Sequence, residues 1–265
     1  MDNKKNGIQK NERLGEIKTN NQGCKMKIIE YNKYSDIIIE FQDEYKAKIK
    51  AEYGQFQDGR IKNPYFPSVF DVGYIGQGKY SYKMHKKIYQ VWKEMLQRCY
   101  YPYYINKYPS YIDCYVCEEW HNFQNFAKWY EENYYEIERQ RMELDKDILF
   151  KGNKIYSPST CVFVPQRINY LFIKSKSIRG NYPIGVSYHK TSDKLSVTCN
   201  TFNKSDKKPK QIYLGLFNKN KPFQAFTTYK QFKEGHIKQV ADEYKDLIPK
   251  RLYEAMCKYE VEIND

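Results

Sequence analysis

Histidine is scarce, with 4 in 265 residues, and His85, His121, His189 and His236 are scattered with no pair at zinc-binding spacing. Cys114 and Cys117 form a Cys-x-x-Cys step, but no second one follows, so a structural zinc is disfavoured. The 7 cysteines are irregularly spaced and make no disulfide framework, which leads to the expectation of a reduced, cytoplasmic protein. No run of about 18 apolar residues exists, so no membrane span is expected. The opening MDNKKNGIQKNERLGE lacks the apolar core of a secretory leader. GYIGQGKY (residues 73–80) has glycines without the Lys-Ser/Thr step of a phosphate loop and reads as a turn. No internal repeat is visible.

Acidic residues are the other deficit. Lys and Arg number 45 against 32 acids, a formal charge of +13, and 28 tyrosines accompany them. Such a balance favours polyanions through counterion release, and tyrosines among lysines stack on bases or meet phosphates. A solvated Lys- and Tyr-rich surface is the plainer account of the same composition. Mean hydropathy is −0.88, which points to small units with much surface rather than one thick core.

Hydrophobic periodicity predicts an α+β chain. Residues 1–24 are polar and read as a flexible arm. MKIIEY, DIIIEFQD and YKAKIKAEYGQF alternate as strands of a small antiparallel β module over 25–80, ending in an ordered aromatic connector. Residues 86–99 place Ile88, Val91, Trp92, Met95, Leu96 and Cys99 on one helical face, and 118–138 do the same with Trp120, Phe123, Phe126, Ala127 and Tyr130. Short strands are expected within 155–164 and a short helix over 165–173, the two helices and this segment composing a unit over 81–175. Three strands and C-terminal helices fill 176–265, with helical periodicity over 222–233 and 235–258 broken at Pro249. Charge is concentrated: residues 174–210 hold nine Lys or Arg against Asp193 and Asp206.

Trp92, Met95, Arg98-Cys99, Val116, Trp120, Phe123, Asn125-Phe126, Leu144-Asp145, Tyr156-Ser157-Pro158, Cys161, Gln166 and Asn169 stand in one order over residues 86–172. That order resembles the HNH endonucleases of phages and mobile elements. The resemblance implies a ββα unit around one divalent ion, Mg2+ or Mn2+, held by Asp145 and Asn169, which stabilises charge at a scissile phosphate. The family's water-activating His, or Arg in many phage relatives, is replaced by Lys146, a cation suited to holding phosphate and a poor base unless desolvated. Asp147 is the remaining candidate for a second carboxylate or a base. The family's Asn before the cysteine is Thr160 here. A charged turn kept for folding, with no live site, is the competing account of Asp145-Lys146-Asp147.

Gly185-Val186, Tyr188, Leu195, Val197, Tyr213-Leu214-Gly215, Phe217 and Ala225-Phe226 resemble the ethylene-response-factor type of DNA-binding domain over residues 180–235. That family lays a three-stranded sheet into the major groove of double-stranded DNA. Alternation along the strands turns Tyr188, Lys190, Lys194, Ser196 and Thr198 outward, and His189 between Tyr188 and Lys190 is a candidate phosphate contact. The lysine-rich loop 204–210, with Lys207, Lys208 and Lys210, is a phosphate clamp or simply mobile, and a solvated basic face is the competing account. Lysines stand where the family uses arginines, which shifts the expectation from guanine reading to phosphate contact. Three functions stay open: a metal-dependent DNA endonuclease, a non-catalytic DNA binder derived from one, and an anti-defence protein that grips a host protein.

Overall fold

A computed structural model describes residues 12–173, 181–202 and 208–265. The chain is mixed α and β and divides into two compact units, Met1–Glu132 and Asn133–Asp265. The division falls inside the span 81–175.

In the first unit β1 (Ile17–Thr19), β2 (Lys25–Lys33), β3 (Asp36–Phe41) and β4 (Lys48–Ala51) form an antiparallel sheet in chain order. Alternation drives it: Met26, Ile28, Ile37, Ile39 and Phe41 are fully buried on one face. The expected flexible arm is corrected over its last residues. Asn20 accepts from the backbone N–H of Cys24 at 2.8 Å and donates to the Ile61 carbonyl at 2.8 Å, closing a tight turn that holds β1 against β2. The third expected strand is also shorter than read, because residues Tyr53–Gln57 form helix α1. Tyr53 and Phe56 lie three apart and both join the sheet's core, which only a helical turn permits.

The aromatic connector has no long element but is well anchored. Gln124 accepts from the Tyr80 N–H at 3.0 Å and donates to the carbonyls of Ile75 and Tyr80. Helix α2 (Lys86–Tyr100) buries Ile88, Trp92, Met95, Leu96 and Cys99, and the Trp92 indole donates to the Trp120 carbonyl at 2.7 Å. After the short helix α3 (Pro102–Lys107) and strand β5 (Tyr115–Val116), a 3-10 turn at Glu118–His121 leads into α4 (Phe123–Asn133). This second helix stops short of residue 138.

In the second unit Tyr135 and Ile137 pack into a core of their own, and the Tyr135 hydroxyl donates to the Phe163 carbonyl at 2.9 Å. Strand β6 (Met142–Asp145) pairs antiparallel with β8 (Val162–Pro165), with β7 (Ile155–Tyr156) between them in sequence. Helix α5 (Gln166–Leu171) follows β8 directly and packs on β6. Three strands, β9 (Val186–His189), β10 (Lys194–Thr201) and β11 (Lys210–Asn218), make a second sheet in the order β11-β10-β9. The C-terminal helices are α6 (Pro222–Tyr244) and α7 (Lys250–Cys257). The two helical stretches expected around residue 234 are one continuous helix, which passes through Gly235 because the flanking turns bury Tyr229, Lys233, Ile237 and Val240.

Gly185 enters β9 with φ +77°, and a Cβ there would lie 2.0 Å from the Tyr229 ring, whereas Gly152, with φ +79°, faces open space. Gly185→Ala therefore combines a left-handed backbone cost of about 1–2 kcal/mol with a clash against a buried ring, and Gly152→Ala carries the backbone cost alone. In urea unfolding Gly185→Ala should lose clearly more stability than Gly152→Ala; equal losses would show that the approach of Gly185 to Tyr229 is unimportant.

Candidate functional site

Residues 144–161 form the first candidate. Leu144 is buried in β6 and Asp145 ends the strand. One Asp145 carboxylate oxygen accepts the backbone N–H groups of Asp147 at 2.8 Å and Ile148 at 2.7 Å, closing the chain into a turn. Burial and the neighbouring Asp147 carboxylate push the Asp145 carboxyl up to about 6, against the opposing pull of the two N–H donors and the Lys146 charge.

Lys146 is only 7% exposed. Its ammonium donates to Asp147 at 3.1 Å and to the Asn153 carbonyl at 3.0 Å, and lies 5.8 Å from the centre of the Tyr156 ring. Asn153 returns its amide N–H to the carbonyls of Lys146 and Ile155, both at 2.7 Å. Thr160 donates to the Ile155 carbonyl at 2.7 Å and meets Ser157 at 2.8 Å. Lys151 ties the outside of the loop to the C-terminal segment through Asp265 at 2.8 Å and the Glu260 carbonyl at 2.9 Å. The mixture of acids, bases, Lys-Gly-Asn and Tyr-Ser-Pro thus spends its polar groups on the loop's own backbone. Asn153 was missed in the sequence because its role depends on carbonyls on both sides of the turn.

Asn169 lies on α5, partly buried, and its carbonyl accepts from Phe172. The donors as arranged do not fit a resident divalent ion. One Asp145 oxygen is committed to two amides, Asp147 is paired with a cation already in place, and that buried ammonium would repel a second one. Among the described residues no group of three or more His, Cys, Asp or Glu side chains converges.

The second candidate is the sheet β9–β11. Helix α6 covers one face through Leu195, Val197 and Cys199, which pack with Ala225, Phe226 and Tyr229. Cross-strand partners share a face. Val186 opposite Val197 and Tyr188 opposite Leu195 therefore belong to the helix side, and His189 opposite Lys194 and Ser187 opposite Ser196 to the outer side. This corrects the outward placement of Tyr188: parity puts it on the helix side, where its hydroxyl donates to the Asp193 carboxylate. Ser196 is on the outer side but only 9% exposed. Lys190 sits in a 3-10 turn rather than a strand, and Lys207 lies outside the described residues.

On β11 a bulge shifts the register between Val197 and Thr198 and keeps Gln211 and Tyr213 on the outer side, opposite Asn200 and Thr198. Tyr213 and Leu216 stand exposed there, and Lys208 and Lys210 are exposed at the start of β11. None of the three strands contains an acid. The nearest, Asp193 at the hairpin turn, is paired with Lys219 and held below the usual carboxylate range by Tyr188 and Lys219. The exposed outer positions of Tyr213 and Leu216 were not anticipated from the sequence, since the bulge that sets their parity has no signature except Gly215.

Compared with known proteins, the chain matches no family model, no curated sequence and no solved structure. Among the described residues no helix is long and apolar enough to cross a membrane.

The raised Asp145 carboxyl has a stability consequence. An acid that binds its proton more tightly when folded contributes stability that is fully present below its unfolded value of 3.8 and is lost as pH rises through about 6. Asp145→Asn keeps the oxygen that caps the turn and removes the charge. Its melting temperature relative to the wild type should rise between pH 4 and pH 7; a pH-independent difference would refute the buried-carboxylate account. Lys146→Ala leaves Asp147 and the Asn153 carbonyl unpaired and should cost about 2–4 kcal/mol in chemical unfolding, against less than about 1 kcal/mol for the exposed Lys154→Ala.

Proposed function

We propose that the protein binds double-stranded DNA through the outer face of the β9–β11 sheet, with the Asp145–Lys146–Asp147 loop serving as a scaffold rather than as a nuclease centre. The observation that carries this reading is the acid-free sheet: His189, Lys194, Thr198 and Tyr213 share its outer side, with Lys190, Lys208 and Lys210 around them. Lys194 on that side, Lys190 in the adjoining turn and Lys208 and Lys210 at the start of β11, with no acid in the strands, give a local positive potential, and the exposed Tyr213 and Leu216 supply stacking and apolar contact to bases or thymine methyl groups. Lysine heads, unlike arginine forks, favour phosphate over bidentate base contacts, so weak sequence discrimination is expected.

The scaffold part of the proposal rests on Lys146. A general base must be reachable by water and unprotonated at working pH. Lys146 is buried, and its ammonium is already engaged by the Asp147 carboxylate and the Asn153 carbonyl, which leaves it poorly placed to meet a water. The runner-up, a metal-dependent nuclease centred on Asp145 and Asn169, keeps the strand–strand–helix succession of β6, β8 and α5 in its favour.

Two measurements test these readings. Binding to duplex DNA should weaken steeply with salt, and Lys190→Ala, Lys194→Ala and Lys208→Ala should each lower the slope of log K against log salt by about 0.9. Binding that is insensitive to salt, or slopes unchanged in all three variants, would remove nucleic acid as the partner and favour a host protein. A supercoiled plasmid incubated with Mg2+ or Mn2+ should show no nicking above that of the Asp145→Asn and Asn169→Ala variants. Nicking that both variants abolish would instead establish the nuclease.

A further inference from the structure

Helix α6 carries one residue that its surroundings do not explain. Lys233 falls on the helix's apolar face, four residues after Tyr229 and four before Ile237, and is only 8% exposed. Among the described residues its ammonium has no hydrogen bond and no ion pair. Burial lowers its affinity for a proton, opposed by the nearby Cys199 thiol, itself pushed up by burial. A buried ammonium in this position is unfavourable relative to an apolar residue of the same shape unless something meets the charge.

Lys233 opens onto a cavity of about 360 Å3. The cavity lies where β10 outruns its neighbour: β9 pairs only as far as Val186 opposite Val197, and β10 continues to Thr201. Tyr170, Ile173, Ile184 and Tyr229 form apolar and aromatic walls, while Ser187, Thr198, Asn200 and Gln211 offer neutral hydrogen-bonding groups. Among the described residues no acid lines it and Lys233 is the only Lys or Arg that does. A ring-sized volume, two tyrosines, several neutral donors and acceptors and a desolvated cation are the ingredients of a small-ligand site, and the sign of the charge selects the ligand.

We propose that this cavity binds a free small organic anion, a carboxylate or phosphate ester with a ring-sized body, whose negative group meets the Lys233 ammonium. The site adjoins the proposed DNA contact, but the case for it does not depend on that contact. Ser187, Thr198, Asn200 and Gln211 belong to both the cavity wall and the outer side of the sheet, so occupancy is placed to influence what the sheet binds.

Calorimetric titration of the full-length protein with phenyl phosphate and with benzoate, set against their neutral analogue phenol, tests the proposal. At least one anion should bind about tenfold or more tightly than phenol, since a charge-assisted hydrogen bond separates them. Lys233→Met, which keeps the apolar stem and removes the charge, should weaken that anion about tenfold and leave phenol unchanged. Equal affinity of phenol and both anions, no binding of either anion, or anion affinity unaltered by Lys233→Met would overturn it. The wild-type comparison needs no variant and so stands whatever the substitution does to folding. Titration in the presence of saturating duplex DNA identifies the source of the anion. Retained binding supports a free ligand, and competitive displacement would overturn it in favour of a backbone phosphate. Loss of DNA binding with anion binding intact, or the reverse, separates this site from the proposed function.

Discussion

One helix holds the C-terminal unit together by belonging to two cores. Over its 23 residues, about 35 Å of length, α6 gives Ala225, Phe226 and Tyr229 to the three-stranded sheet and Ile237, Val240, Ala241 and Tyr244 to the core built on Val162, Val164, Ile168 and Leu252. Neither sheet has enough apolar surface to stand alone: β6–β8 is a two-stranded pair and β9–β11 is covered on one side. The rigid rod couples them, and the Tyr244 hydroxyl reaches Gln140 at 2.9 Å to fasten its far end. Where the helix changes partners, Lys233 and His236 are buried, and there the packing leaves room for a cavity. A seam between two cores is a place where polar groups survive inside a protein, because neither core closes over them completely.

Electrostatics divides the same unit into two regimes. Around Asp145 the charges are turned inward, each answered at close range by an amide, a carbonyl or an opposite charge. Low solvent access makes those contacts strong and makes any one of them costly to lose, which suits a loop that must hold a shape. On β9–β11 the described strands hold no acid, and Lys194 and Lys190 are exposed to water.

Much of this was legible in the chain. The period-3.6 face from Ile88 to Cys99 is the buried face of α2, and the alternation in DIIIEF is the buried face of β3. Such segments carry their answer locally because apolar spacing alone dictates which face is covered. Errors fell where two local patterns compete or where a neighbour decides. AEYGQF continues a strand by alternation, yet Tyr53 and Phe56 bury together only as a helical turn. Tyr188 reads as a DNA contact in the linear pattern, yet its pairing with Leu195 puts it on the other side. Lys233 was not singled out in the sequence, because only the placement of β10 beyond β9 gives it a cavity.

What the sequence by itself determined is the set of elements and their chemistry: alternating and helical runs, a basic acid-free strand group, and a polar turn rich in residues that hydrogen-bond their own backbone. Those follow from forces acting over a few residues, which the order of side chains encodes directly. Only the tertiary structure decided what each charged group meets. Partners of Lys146 sit one and seven residues away, in a turn whose closure depends on Asp145, whereas Lys233 meets no partner among the described residues and opens onto the cavity beyond the end of β9. Burial and pairing of a charge are properties of distance in space, and so the fate of these two lysines, one spent on structure and one left open to a ligand, is settled by the fold.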